Sequence, residues 1–371
     1  MNFDYSHEQK FLKDEARKFL EERCPVTAVR GVLDDGGKPF DRGLWQAVAG
    51  MGWTGAVIPE KWGGTGLGHI ELCAIAEELG RALAPIPFAS TVYVFAEAIL
   101  AFGSDAQREA LLPGIASGAV IGCLATSERE GALSIEGMAA NVVGGRLSGA
   151  KVPVTDGDVA THAIVAACDE AGPGLFIVDL AGEGIAREAI ATLDPTRSVA
   201  RITFAGSPCE RLGAAGEGAA LLSAILDRAA VLFAFEQVGG AGRCLEYAKA
   251  YAMERYAFGR VIGSYQAIKH KLADIYVRNE LARSSAYYGA WALNSGAAEL
   301  PEAAAAARIA GTQAYDFAAR ENLQTHGGMG FTWEADCHLH LRRARQLGLA
   351  LGGLPLWRER LIRTLESRNA L

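Results

Sequence analysis

No stretch of the 371 residues reaches about 18 uninterrupted apolar positions, so a membrane-spanning helix is not expected. Met1-Asn2-Phe3-Asp4-Tyr5-Ser6 lacks both a basic start and an apolar run, so no secretory leader is expected. There is no basic excess: 36 Lys and Arg stand against 43 Asp and Glu, a net charge of −7. That argues against a nucleic-acid partner, which favours a basic surface, but leaves room for a local basic pocket. Seven cysteines are dispersed from Cys24 to Cys337 with no C-x-x-C pair, as expected for free thiols in a reducing cytoplasm. Cys337, His338 and His340 lie close together, yet their helical spacing splays them and no fourth ligand is evident, so no metal centre is expected. Internal repeats and low-complexity linkers are also absent.

Half of the chain is apolar and 21% is charged, a composition that buries a large core. Residues 1–118 read as helical. Ser6 and Gln9 form a capping box, Phe11, Leu12, Phe19 and Leu20 supply an apolar face, and Pro25 ends the first helix. Leu44, Trp45 and Val48 mark a second helix. Pro59 to Gly68 is a glycine-dense loop, and a further helix runs from Ile70 to Arg81. Pro85 and Pro87 then break the chain before helices near Val92 and Asp105. From 119 to 212 the pattern changes to short apolar runs punctuated by glycine and aspartate: Val120–Ala125, Ala163–Ala167, Leu175–Leu180 and Val199–Phe204. These predict strands of a compact, barrel-like β-domain. Helical spacing returns in 213–371, where segments near 219–257, 264–296, 301–325 and 333–350 predict a four-helix bundle. The fold class is therefore α+β, in the order helical, β, helical.

Two C-terminal motifs stand out. The first runs Glu254-Arg255-Tyr256-Ala257-Phe258-Gly259-Arg260, then Gln266 and Leu272-Ala273-Asp274. The second is Gln324-Thr325-His326-Gly327-Gly328-Met329-Gly330. Chemically, Arg255 offers a planar, permanently charged fork suited to phosphate oxygens. Gln266 and Gln324 donate and accept hydrogen bonds, and Gly327, Gly328 and Gly330 let main-chain N–H groups approach an anion. The alternative is a helix junction that needs glycine beside a surface arginine.

The two motifs, with Gly52-Trp53, Pro59-Glu60, Gly63-Gly64 and Glu77-Glu78-Leu79-Gly80-Arg81, resemble the acyl-CoA dehydrogenases over nearly the whole chain. The resemblance implies FAD shared between subunits, an acyl-CoA thioester substrate, a dimer or a homo- or hetero-tetramer, and an electron-transfer flavoprotein as acceptor. It assigns Arg255, Phe258, Gln266, Gln324, Gly327 and Gly328 to the cofactor. In the β-domain, Ser127 takes the hydroxyl role of the family's Thr-Glu strand end, and Thr155 falls in its Gly-x-Lys segment. Pro153 replaces the aromatic usual there, and residues 129–134 depart from the family's Gly-x-Gly-Ser turn. Asp227 and Arg197 are assigned to substrate, Arg197 with the alternative of a surface salt bridge.

Removing an acyl α-proton needs a carboxylate within hydrogen-bond reach. The two positions where relatives carry that Glu hold Ala229 and Leu351, and no acidic residue lies between Asp336 and Glu359. Glu236 is the remaining candidate: the one charged residue from Ala229 to Gly242, about 10 Å along the helix from Ala229. Apolar surroundings would raise its pKa as a general base requires. Its alternative role is to hold an arginine inside the helix packing. Three readings remain open: a dehydrogenase with a displaced base, a flavin-sharing subunit whose paralogous partner supplies the Glu, and a flavin monooxygenase on the same fold.

Overall fold

The computed structural model describes residues 5–35, 38–129 and 137–369. The helical N-terminal stretch contains α1 (His7–Arg23), α2 (Val26–Leu33), α3 (Arg42–Gly50), α4 (His69–Arg81), a π-helical segment Ala89–Ala96, α5 (Glu97–Phe102) and α6 (Asp105–Ala116). Strands follow: β1 (Gly122–Ala125), β2 (Asn141–Val143), β3 (Arg146–Thr155), β4 (His162–Asp169), β5 (Gly172–Asp179), β6 (Ile185–Ala189), β7 (Val199–Pro208) and β8 (Glu210–Leu212). Then come α7 (Gly218–Glu254), the short β9 (Tyr256–Ala257) and β10 (Arg260–Val261), α8 (Gln266–Ser295), α9 (Leu300–Thr325), α10 (Cys337–Ala350) and α11 (Leu354–Asn369). The order helical, β, helical is the expected one.

Local chemistry explains the boundaries. Ser6 and Gln9 cap α1 reciprocally, and Ser104 with Gln107 does the same for α6. The sheet has the order β6-β7-β3-β2-β4-β5-β8, with β1 paired in parallel to β4. This path is open, so the expected barrel-like closure is corrected: β6 and β8 end it without pairing to each other. Along β7 buried and exposed residues alternate, while β4 is buried over a continuous run. Pro153 sits at a bulge between Lys151 and Val154, where its missing N–H costs no ladder bond.

By contact density the chain forms two units. One gathers 1–29, 69–84 and 230–371, and the other 30–68 and 85–229. The first unit is helical. In it α9 packs on α8, α10 and α11, so the bundle has one more helix than the four expected. Residues 230–241 of α7 are all buried in it, with Glu236 their one charge, while Glu246 and Lys249 further along the helix are exposed. By length and composition this helix would cross a membrane, but 72% of its most apolar window is buried.

The run Glu77-Glu78-Leu79-Gly80-Arg81 acquires a structural meaning in this unit. Glu77 pairs with Lys13 at 2.6 Å and with Arg283, and Glu78 takes both arms of Arg17 at 3.0 and 2.8 Å. Burial alone would raise the Glu77 carboxyl pKa, but Lys13 and Arg283 hold it below its usual range. Gly80 is a close-approach position, since a Cβ there would lie 1.9 Å from the Glu236 carbonyl oxygen. Reciprocally, a Cβ on Gly239 would lie 1.8 Å from the Glu77 carbonyl oxygen. The backbones of α4 and α7 therefore touch, and Arg81 bridges to Glu246 beside the crossing.

Candidate active site

In the helical unit, α7 ends and the chain reverses through β9 and β10. Phe258 and Gly259 form the two-residue tip with φ of 51° and 79°, the positive pair that a type I′ hairpin requires. Glycine fits the second position. Phenylalanine at the first is strained, and its side chain is 97% exposed. Arg255 stands at the hairpin base, where its carbonyl accepts the Ile262 amide at 2.7 Å. Its side chain is exposed and finds no partner among the described residues. Tyr265 braces the hairpin by donating to the Ala257 carbonyl at 2.9 Å and stacking under Arg260. Gln266 opens α8 and Gln324 lies in the last turn of α9. Both are exposed, with side-chain amides that bond no described residue.

After α9 the chain makes a tight 3-10 turn, Gly327–Phe331. The left-handed residue is Gly327, at φ 59°, and not Gly328. A Cβ on Gly327 or Gly328 would meet nothing of this chain within 4 Å, whereas one on Gly330 would strike the Leu323 carbonyl oxygen at 2.3 Å. Gly330 is thus an internal packing position, and Gly328 faces open space. The His326 ring stacks on Tyr251 with centroids 4.2 Å apart, while its Nδ1 donates to Asn322. Arg255 follows Tyr251 by one helical turn. This stack, which sequence reasoning missed, brings the Arg255 hairpin and the Gln324–Gly328 turn to the same end of the helical unit.

In the β-containing unit Ser127 follows β1 and is half-buried, and its carbonyl accepts the Val152 amide at 2.8 Å. Lys151 is fully buried. Its Nζ donates to the Thr126 carbonyl at 3.2 Å and to Glu128 at 2.9 Å, bracketing Ser127. Burial pushes the Lys151 pKa down against the pull of Glu128. For Glu128 burial would raise the pKa, but the Ala139 amide, Lys151 and the Ala140 amide hold it below its usual range. Thr155 ends β3, half-buried, opposite Val199. The departing turn at 129–134 lies largely outside the described residues.

Asp227 and Arg197 are both buried, at 4% and 2% exposure. The alternative of a surface salt bridge for Arg197 is therefore corrected. A carboxylate that sequence reasoning did not single out is Glu97, fully buried and paired with Arg228 at 2.7 Å. Its only sequence signal was a charge within an apolar helix, 131 residues away from its partner.

The expected base positions are closed. Ala229 is fully buried, and Leu351 lies at the end of α10 with its carbonyl accepting the Trp357 indole at 3.0 Å. Glu236 is fully buried 3.6 Å from Arg343 Nη1. Arg308, also fully buried, has its pKa pushed down to about 9 by burial, an effect that Glu236 opposes. Cys337, His338 and His340 each bond inside the fold, to Gly330, Trp333 and Tyr315 respectively.

A permanent cation, two free amides and an open glycine turn on one unit suit a phosphate-bearing ligand. The half-buried hydroxyls of Ser127 and Thr155 on the other suit the polar edge of a ring.

Comparison with known proteins places the chain. The acyl-CoA dehydrogenase N-terminal domain matches residues 6–119 and the acyl-CoA dehydrogenase C-terminal domain matches residues 216–363. The acyl-CoA dehydrogenase IpdE2 of Mycobacterium tuberculosis is 32% identical over 91% of this chain and 91% of its own length. The structure of a variant of the Tcur3481-Tcur3483 steroid ACAD is similar with a TM-score of 0.89 at 31% identity, covering 98% of this chain and 99% of that one. The ChsE4-ChsE5 complex from Mycobacterium tuberculosis is similar with a TM-score of 0.90 at 27% identity, covering 99% of each chain. The chain belongs to the acyl-CoA dehydrogenase family, flavoprotein oxidoreductases that act on CH–CH groups.

Proposed function

We propose that the chain takes part in α,β-dehydrogenation of an acyl-CoA thioester, with FAD as its resident cofactor. The observation that carries this reading is the outward-facing set of Arg255, Phe258, Gln266, Gln324 and Gly328, whose polar side chains have no use inside the described fold. Arg255 and the two amides would hold the pyrophosphate and its neighbouring hydroxyls, and Gly327 and Gly328 would admit the backbone to it. Ser127 and Thr155 would present hydroxyls to the flavin ring. When bound, FAD supplies the acceptor, flavin N5, for the hydride leaving the β-carbon. Asp227 and Arg197 are proposed to fix the substrate. An exposed phenylalanine at a strained tip suits a ligand held against a second subunit, and an electron-transfer flavoprotein is the proposed acceptor.

Two readings of the proton acceptor follow. In one, Glu236 takes the α-proton. In the other, a paralogous subunit supplies the carboxylate; its support is the enclosure of Glu236 beside Arg343 and the apolar residues at positions 229 and 351. The test is to express the chain alone and with the product of a neighbouring gene, then measure flavin content and bleaching by acyl-CoA. Arg255→Ala should lose flavin while the fold persists. Equal flavin in variant and parent would overturn the assignment.

A further inference from the structure

We propose that the π-helical segment Ala89–Ala96 positions both hydroxyl-bearing strand ends of the β-containing unit, with Ser90, Thr91 and Asp156 as positioning residues. This deepens the proposed function and rests on it for the role of Ser127 and Thr155. The pins are two adjacent side chains. Ser90 Oγ donates to Asp156 Oδ2 at 2.6 Å, and Asp156 directly follows Thr155. Thr91 Oγ1 accepts the Gly122 amide at 3.2 Å, at the start of the strand that leads into Ser127. Neighbouring residues on a helix point to different sides, so one helical turn reaches both the turn after β3 and the start of β1.

The surroundings make these contacts more than ordinary core. Ser90, Thr91 and Asp156 are all buried, where apolar side chains would pack without the cost of desolvating polar atoms. Asp156 also holds a left-handed backbone, φ 57°, in a buried site. Its amide donates to the Ser198 carbonyl at 2.8 Å, and its own carbonyl accepts the Ala160 amide at 2.9 Å. The turn after Thr155 is thus held through both its backbone and its side chain. On the same segment Phe95 covers Gly122 so closely that a Cβ there would lie 2.1 Å from the ring. A wide helical turn is itself a costly geometry that recurs at functional sites. A displacement of this segment would therefore move Ser127 and Thr155 together.

The experiment uses the full chain with Ser90→Ala, Thr91→Val and Asp156→Ala, and with Ser90→Thr and Asp156→Asn as conservative controls. Asparagine tolerates the left-handed backbone and keeps an acceptor. Amide hydrogen exchange of the apoprotein is read first. Ser90→Ala and Asp156→Ala should speed exchange at 155–157 about ten-fold, and Thr91→Val should do so at 123–127. FAD titration is read second, where these variants should bind about ten-fold more weakly and shift the visible band of the flavin. The two controls should restore parental behaviour in both. Unchanged exchange at these segments, or loosening spread evenly over the chain with no rescue, would overturn the proposal. If exchange responds as expected but the parent itself takes up no FAD, the positioning stands and the cofactor reading falls.

Discussion

Glu236 and Arg343 face each other at 3.6 Å with neither side chain reaching solvent. The same arginine donates to the Leu83 carbonyl at 3.4 Å, at the end of α4, where Leu83 has φ 55°. One buried guanidinium thus joins α7, α10 and the left-handed terminus of α4. Removing one partner of a buried ion pair leaves the other charge uncompensated, typically at about 3–5 kcal/mol.

Glu236→Gln is expected to lower stability by about 3 kcal/mol in denaturant titration. If Glu236 is the base, the variant should also lose about a hundred- to ten-thousand-fold in turnover while its flavin is retained. If a partner subunit supplies the carboxylate, turnover of the co-expressed complex should hold once stability is matched. Robust turnover by the variant as a homo-oligomer would defeat both readings.

Gly328 and Gly330 should separate cofactor binding from folding. Gly328→Val meets no atom of this chain, so it is expected to fold normally and lose FAD. Gly330→Val meets the Leu323 carbonyl and is expected to lower the melting temperature as well. Full flavin occupancy in Gly328→Val would return this loop to a plain helix junction.

Gly80→Ala tests the crossing of α4 and α7. A methyl group 1.9 Å from the Glu236 carbonyl oxygen must force the backbones apart, at a cost of at least about 2 kcal/mol. A parental melting curve would show that the two helices do not approach as described.

His340 predicts a pH dependence. Its ring is buried and bonded to Tyr315, and burial first, then Arg243, Arg343 and Arg81, push its pKa from 6.5 down to about 3. The folded protein holds the neutral ring, while the unfolded chain takes a proton below pH 6.5. The stability is therefore full above pH 6.5 and lost as pH falls from there towards 3, at up to about 1.4 kcal/mol per pH unit. His340→Asn should flatten this slope in urea titrations at about pH 7 and about pH 5; an unchanged slope would assign the acid sensitivity elsewhere.

The alternation of helical and β segments was legible because hydrophobic period changes near 119 and 213, and Arg255 with Gly327 and Gly328 was legible because charge and glycine stand out locally. The hairpin 256–261 was not foreseen: helical spacing was carried to about 257, whereas α7 ends at Glu254 and Tyr256-Ala257 form its first strand. Lys151 with Glu128 and Arg228 with Glu97 were not legible as pairs, because each depends on which strands and helices become neighbours. The left-handed Asp156 carries no sequence mark beyond an Asp-Gly step, which equally announces an ordinary turn.

The helical unit collects residues 1–29, 69–84 and 230–371 from three separate stretches of chain. During synthesis, at about 5–20 residues per second, α4 waits roughly ten to thirty seconds before the part of α7 that crosses it leaves the ribosome. Through that interval Glu77 lacks Arg283, Arg81 lacks Glu246, and the apolar side of α4 lacks the backbone of α7. The nascent chain is therefore a natural client for a holding chaperone, and a fragment ending near residue 118 should aggregate instead of folding as an autonomous domain.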